Sequence, residues 1–537
     1  MLADRTPERT HQPGTPQTKR PRSDDNLGRQ LIKEIRCSVH GTIKCEPLLE
    51  SVMNSDVFQR LRRLKQLGVT EHVYPSAMSS RFEHSLGVSH LAGEMCRRLM
   101  LRDIPKGAAR ASERDILCVK LAGLLHDIGH GPFSHTFEKL VPDFKHEAMS
   151  VSLVQLLFGT KDDTRSELRL SSYEAGGEHL DDENDLLFVE ELIRGVDNPE
   201  GCKGRGRDKF YLYNIIANKA YGLDVDRLDY LIRDNKSAIG QDASFSIDFI
   251  LDNVAVRMTS SQNNLGAPYP VIAFSRKAAG EVWKVFQSRY EMFGKVYLHE
   301  KGMGRELLLA DLLEAMGKLP APACHVIAGK TLEEAAKAPE DFILLDDHIV
   351  TRLALRLEDL TQQPTEEHTV AVRRARTLLD RYRRHSHYAK VAEAIVPDAQ
   401  LLDKDKRRMK PRDIEQRLKE NWGLDPMRFI VTMRVVHHGE GDLNPMAKMP
   451  FFNQKTDGVD ELATPLKDFQ WRYIPLPQHF ERPSVCVFFR GDDDVCRDEA
   501  IKAAKQEVEQ RWRKVNFPIP SEVSDDDDEQ MRCSQGM

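Results

Sequence analysis

The strongest constraint in this 537-residue chain is a stretch where an apolar helix turns into a polar, glycine-bearing corner. Ser112-Glu113-Arg114-Asp115 reads as a capping box, with Ser112 at the N-cap and an acid three residues on. Ile116, Val119, Leu121, Leu124, Leu125 and Ile128 follow as an apolar stripe at helical spacing. Gly129 and Gly131-Pro132 stop it. His126 and Asp127 therefore stand side by side at the end of a buried helix, with His130 and His135 on the loop and turn beyond. A buried charge of this kind needs a partner, and a cation is the simplest one.

Charge narrows the function. Lys plus Arg number 78 and Asp plus Glu 84, a formal net charge of -6, which does not mark a dedicated nucleic-acid binder. The nine cysteines contain no C-x-x-C pair and fit free thiols in a reducing compartment. The first thirty residues hold no apolar signal-peptide core, and no uncharged apolar run is long enough to span a bilayer, so a soluble intracellular protein is expected.

Residues 1–30 read as a disordered tail with a basic cluster, Lys19-Arg20-Pro21-Arg22, and residues 519–537 as an acidic tail around Asp525 to Asp528. Between them the pattern is mainly α. A helix is expected from near Asp224, and a long one from about Ala278 past Tyr297. Residues 160–182 and 196–208 read as surface loops or insertions. Phe429 to Val436 and Val485 to Phe489 read as strands. The expected organisation is a large helical body over 31–320 and a smaller α+β C-terminal lobe over 321–518.

Three chemical sets stand out. His84, His126, Asp127 and Asp226 offer two imidazoles and two carboxylates, suited to a divalent metal with positions left for water and a phosphate oxygen. His130, His135, His146 and Glu147 supply acid–base groups, with Glu147 expected to hold the tautomer of His146. Arg81, Arg227, Arg233, Arg289 and Lys295 could bind phosphates, Arg233 and Lys295 also reading as structural ion pairs. Tyr230 and Tyr297 could stack on a nucleotide or pack in the core. No P-loop or dinucleotide-binding glycine motif is present.

The H…HD…D pattern resembles the HD-domain phosphohydrolase superfamily. The resemblance tightens with Val39-His40-Gly41, Phe58-Gln59-Arg60-Leu61-Arg62, Lys65-Gln66-Leu67-Gly68, Arg81-Phe82-Glu83-His84, Gly131-Pro132-Phe133-Ser134-His135 and Asp224-Val225-Asp226-Arg227 in order. Together these resemble the deoxynucleoside triphosphate triphosphohydrolases whose vertebrate members carry a sterile alpha motif ahead of the HD domain. Residues 1–30 are too short for that motif, so none is expected. The resemblance implies hydrolysis of dNTPs to deoxynucleoside and inorganic triphosphate, by water attack at the α-phosphorus. It implies His84, His126, Asp127 and Asp226 as ligands of Fe, Mn, Mg, Zn or Ni. His146, with Glu147, and His130 would be catalytic. Arg81, His135, Arg227, Tyr230 and Arg289 would hold phosphates. Gln66, Leu67 and Asp234 would contact the sugar, and Tyr297 would exclude a 2′-hydroxyl.

A dimer or tetramer assembled by GTP or a dNTP is also implied, with Lys33, Asn54, Gln59, Arg62, Val73, Lys277 and His299 at regulatory sites. The family pattern has an Asp where Asn54 stands, an Asn and a Lys where Glu281 and Glu300 stand, and a glutamine where Leu298 stands. Asn54 offers one acceptor and one donor where a carboxylate offers two acceptors, and Glu281 and Glu300 are expected to repel a triphosphate. Nucleotide activation is therefore expected to be altered or lost. The basic cluster resembles a nuclear import signal, so nucleus and cytoplasm are the expected compartments. Two other readings remain: an HD phosphohydrolase of nucleoside monophosphates, cyclic nucleotides or guanosine polyphosphates, and a single-stranded nucleic-acid-binding scaffold using the basic run Lys404 to Arg412.

Overall fold

The structure is a computed structural model. It describes residues 32–159, 166, 168–259, 267–327, 329–360, 369–395, 429–466 and 474–491. Both tails and the basic run Lys404 to Arg412 lie outside these residues.

The described chain opens on a hairpin of β1 (Lys33–Cys37) and β2 (Gly41–Cys45), antiparallel, with Lys33 opposite Cys45. Gly41 closes it at φ +74°, a conformation that a Cβ would strain. The helical body follows, built on α1 (Arg81–Met100), α2 (Glu113–Leu125), α3 (His135–Leu140), α4 (His146–Phe158), α5 (Asn184–Arg194) and α6 (Val225–Ile239). Side-chain caps set three of these starts. Ser80, Ser112 and Asp224 accept from the backbone N–H of Glu83, Asp115 and Arg227. The capping box at Ser112 is formed in both directions. Helix α1 is buried along most of its length and packs on α2 and α6, with Gly123 of α2 set closely against Ser89.

The corner after α2 is locked from several sides. Phe133 and Ser134 have φ of 58° and 56°, a costly region for residues with side chains. Asp347 holds them, accepting from Phe133 N at 2.7 Å and from Lys65 N at 2.8 Å. Gly129 leaves no room for a Cβ against His146 O and Ser150 N, so the start of α4 docks directly on the corner. Ser150 Oγ donates to His126 O at 2.7 Å and accepts from Gly129 N at 2.9 Å.

Beyond α6 come β3 (Val254–Thr259), β4 (Tyr269–Ser275), α7 (Ala279–Met292) and α8 (Glu300–Gly317). The helix expected from Ala278 past Tyr297 is α7 followed by a π-helical turn, Phe293–Tyr297. Further on are β5 (Ala389–Ile395), β6 (Phe429–His437), β7 (Phe451–Phe452) and β8 (Glu481–Phe489). Strand β8 lies between β5 and β6, antiparallel to both, with Phe489 opposite Phe429, while β7 adds parallel to β4. The two strands expected from the sequence are therefore paired neighbours.

Packing is continuous across residue 320: one core cluster runs from Ile43 to Phe488, and Asp311 of α8 accepts from Tyr388 Oη at 2.7 Å and Arg490 Nε at 2.8 Å. The 196–208 segment, expected as surface loop, is tied inward: Arg205 binds Asp115 and Asp185 at 2.5 Å each.

Candidate metal centre and acid–base site

Four side chains from α1, the α2 corner and α6 converge. His84 Nε2 lies 2.9 Å from Asp226 Oδ1 and 3.5 Å from Asp127 Oδ2. His126 Nε2 lies 3.4 Å from both Asp127 Oδ1 and Asp226 Oδ1. Ligand atoms of His84, His126 and Asp127 fall within 4.8 Å of one another. Both Nε2 atoms are buried without a hydrogen-bond partner of acceptable geometry. Their other nitrogens are engaged: His84 Nδ1 with Asp229 Oδ2 at 2.8 Å, and His126 Nδ1 with Gly123 O at 2.9 Å. With Nδ1 engaged, each ring turns its Nε2 toward two carboxylates. This donor set fits a divalent cation.

The electrostatics agree. Burial would depress His84, but Asp226 and Asp229 raise its pKa to about 10. Burial opposes ionisation of Asp127, yet His126 and Arg81 hold its carboxyl well below the usual range. A proton on His84 does here what a cation would do, offsetting the paired carboxylates. Arg81, expected on phosphates, is buried. It donates to Asp127 through Nη1 and to Ser134 Oγ through Nε at 2.9 Å, so it orients a candidate ligand.

The acid–base set sits alongside. The rings of His130 and His146 stack at 3.9 Å and 16°, and His135 meets His130 edge-on at 5.2 Å. His130 is kept neutral by burial, Arg81 and His146. His146 differs from expectation. Its Nδ1 is hydrogen-bonded to Glu138, while Glu147 Oε2 stands 3.6 Å away and makes no such bond. Helix α3 brings Glu138 to the ring, whereas Glu147 follows His146 in the first turn of α4 and stays just outside hydrogen-bond distance. Burial opposes Glu138 ionisation, but His135 and His146 hold it down. Glu138 was legible only as an i,i+3 neighbour of His135.

The outer residues spread around this centre. Arg227 Nη1 is buried without a partner, and its guanidinium lies 5.6 Å from the Phe286 ring centre. Arg289 donates to the His437 carbonyl at the edge of the C-terminal lobe. Tyr230 and Tyr297 meet edge-on at 6.4 Å. Tyr297 Oη donates to Asp234 Oδ2 at 2.8 Å, and burial pushes Asp234 up to about 7. Asp234 Oδ1 and Gln66 Oε1 are buried acceptors without partners, and Leu67 is half-buried beside Gln66. His135 is 70% exposed at the mouth. Arg233 is fully engaged by Asp229, and Lys295 by Glu291 at 3.2 Å, so both are structural ion pairs.

The residues expected at regulatory sites lie apart from the metal cluster. Lys33 pairs with Glu50 at 2.9 Å, one turn before the exposed Asn54. Gln59 accepts from Arg62 Nε at 2.9 Å. His299 caps α8 and meets Tyr74, the neighbour of half-buried Val73, at 5.8 Å. Lys277 lies 5.3 Å from the Phe249 ring centre. Glu281 is paired with Lys284 at 2.6 Å and Glu300 with Lys390 at 3.0 Å. Each of these two carboxylates thus has a lysine partner.

Residues 81–195 match the HD domain family, so this chain carries an HD domain that includes His84, His126 and Asp127. It is similar to the deoxynucleoside triphosphate triphosphohydrolase SAMHD1 of Gallus gallus, 29% identical over 522 residues, covering 92% of this chain and 77% of that one. The Dictyostelium discoideum SAMHD1 homolog is 26% identical over 87% of this chain and 79% of its own. Homo sapiens SAMHD1 is 33% identical over 293 residues, 52% of this chain and 44% of its own. Among the described residues, no helix is long and apolar enough to cross a membrane.

Proposed function

We propose that this chain hydrolyses deoxynucleoside triphosphates to deoxynucleoside and inorganic triphosphate, and so lowers dNTP pools. The observation that carries the reading is the convergence of two partnerless Nε2 atoms and two carboxylates beside the stacked His130–His146 pair. His84, His126, Asp127 and Asp226 would hold a divalent cation. Such a cation polarises a phosphoryl oxygen and lowers the pKa of a water nucleophile.

The remaining work falls to side chains. Cleavage of the bond between the α-phosphorus and the 5′-oxygen requires a proton on the leaving oxygen. Glu138 holds the Nδ1 proton of His146, which leaves Nε2 to deliver or accept one. Arg227 and Arg289 offset triphosphate charge at the outer end. Gln66 Oε1 and Asp234 Oδ1, both buried acceptors without partners, suit a sugar hydroxyl. Tyr297, tied to Asp234, limits space at the 2′ carbon.

We further propose that the protein is a homo-oligomer acting in nucleus or cytoplasm, with a nucleotide activator held by the Lys33, Asn54, Gln59 and Arg62 group. Asn54 makes weak guanine selectivity the expectation. The test is product analysis with a dNTP and the matching NTP in Mn²⁺ or Mg²⁺, with and without GTP, alongside Asp127→Ala. Deoxynucleoside plus intact triphosphate, from the dNTP alone and absent in the variant, is expected. Mono- or diphosphate products would move the assignment to another HD hydrolase, and no turnover would favour a binding role.

A further inference from the structure

Asp229 is absent from the three chemical sets, yet it is fully buried and sits one turn after Asp226 on α6. It accepts four hydrogen bonds, two on each oxygen. Oδ2 takes His84 Nδ1 at 2.8 Å and Arg233 Nε at 2.9 Å. Oδ1 takes Arg233 Nη2 at 2.9 Å and His40 Nε2 at 2.6 Å. A carboxylate has about four acceptor sites, so this one is saturated. Three of its donors come from the helices α1 and α6. The fourth, His40, comes from the turn of the N-terminal hairpin. Gly87 on α1 gives the carboxylate its space, since a Cβ there would collide with Asp229 and Arg233.

The hairpin turn is docked on α6 by two further contacts. Lys236 Nζ donates to Ser38 O at 2.8 Å, and Arg233 Nη1 and Nη2 approach Cys37 Sγ at 3.9 and 3.8 Å. A continuous line of hydrogen bonds thus runs from the hairpin turn through Asp229 to a candidate metal ligand.

We infer that His40 is a positioning residue for the metal centre: by occupying the last acceptor site of Asp229, it fixes the carboxylate that orients His84 Nε2 toward the cation. The hairpin is then a clamp on metal retention. This inference rests on the metal reading proposed above. Outer-shell partners of this kind change metal affinity by about 10- to 100-fold when removed.

The test compares Mn²⁺ affinity, measured by calorimetric titration of the metal-free full chain, in wild type, His40→Ala and His40→Gln. Gln keeps an N–H donor near the place of Nε2. Metal-free melting temperatures are recorded in parallel. His40→Ala is expected to weaken Mn²⁺ binding about 10- to 100-fold, and His40→Gln to restore most of it. Wild-type affinity in His40→Ala would overturn the inference. Equal loss in both variants, with equally lowered metal-free melting, would also overturn it, because packing rather than the donor would then be at work. A wild type that binds no Mn²⁺ would sink the metal reading itself, a failure distinct from binding that ignores His40.

Discussion

The inner and outer ends of the candidate site are built differently. At the inner end three of the four candidate ligands are held from behind: His84 by Asp229, His126 by the Gly123 carbonyl and Asp127 by Arg81. At the outer end Arg227 keeps a partnerless Nη1, Arg289 leans on a backbone carbonyl of the C-terminal lobe, and His135 is mostly in solvent. The inner end meets its ordering cost during folding, whereas the outer end, on the proposed reading, leaves part of its bonding to the substrate phosphates. Rigid placement is worth most where distances must be held for chemistry, and adaptable cations suffice where charge alone is neutralised.

The sharpest way to break this contrast is Asp127→Ala. Removing a carboxylate shared by His84, His126, His130 and Arg81 is expected to abolish both turnover and Mn²⁺ retention, read by product analysis and metal content. Retained metal would mean that the inner end is not organised around Asp127.

Next in size is Glu138→Gln. Acid–base groups contribute about 10²- to 10⁴-fold, so kcat is expected to fall about 100-fold with metal content unchanged. Glu147→Gln should leave kcat within about threefold, because Glu147 does not reach hydrogen-bond distance of His146. The reverse ranking would restore the sequence-based assignment of Glu147.

Arg227→Ala and Arg289→Ala probe the outer end. Losing one charge-assisted hydrogen bond costs about 1.5–3 kcal/mol, so KM should rise about 10- to 100-fold with a smaller change in kcat. A collapse of kcat at constant KM would show that the outer end is as preorganised as the inner one.

The smallest effect lies far from the site, on β5. Burial opposes ionisation of Glu393, but hydrogen bonds from Lys390 and Ser484 bring its pKa from 4.5 to about 2. Its contribution to stability is present above pH 4.5 and is lost as the pH falls from 4.5 toward 2. Glu393→Gln should flatten that part of a melting-temperature profile, and an unchanged profile would show the pairing to be energetically silent.

Much of this was legible along the chain. The capping box, the stripe of α2 and the Gly-Pro stop located His126 and Asp127 at a helix end, because helix starts and stops are written in residues a few positions apart. The start of α6 at its Asp224 cap and the strands at 429 and 485 were legible for the same reason. Glu138 was missed because the bond that matters joins α3 to α4 across a turn, whereas adjacency in sequence favoured Glu147. Asp347 was missed for a stronger reason. It braces Phe133 and Lys65 from more than 200 positions away, and no local pattern reports such a contact.

By itself, then, the sequence determined the helical body, the site-bearing segments and the kinds of donor atoms available, since these follow from periodicity, capping and side-chain chemistry. Only the tertiary structure decided which of those atoms face one another. It set Arg81 against Asp127, gave His146 to Glu138, paired Glu281 and Glu300 with lysines, and made Asp229 the junction between the N-terminal hairpin and His84. The physical reason is that hydrogen bonds and ion pairs act over about 3 Å, a range set by packing and blind to separation along the chain.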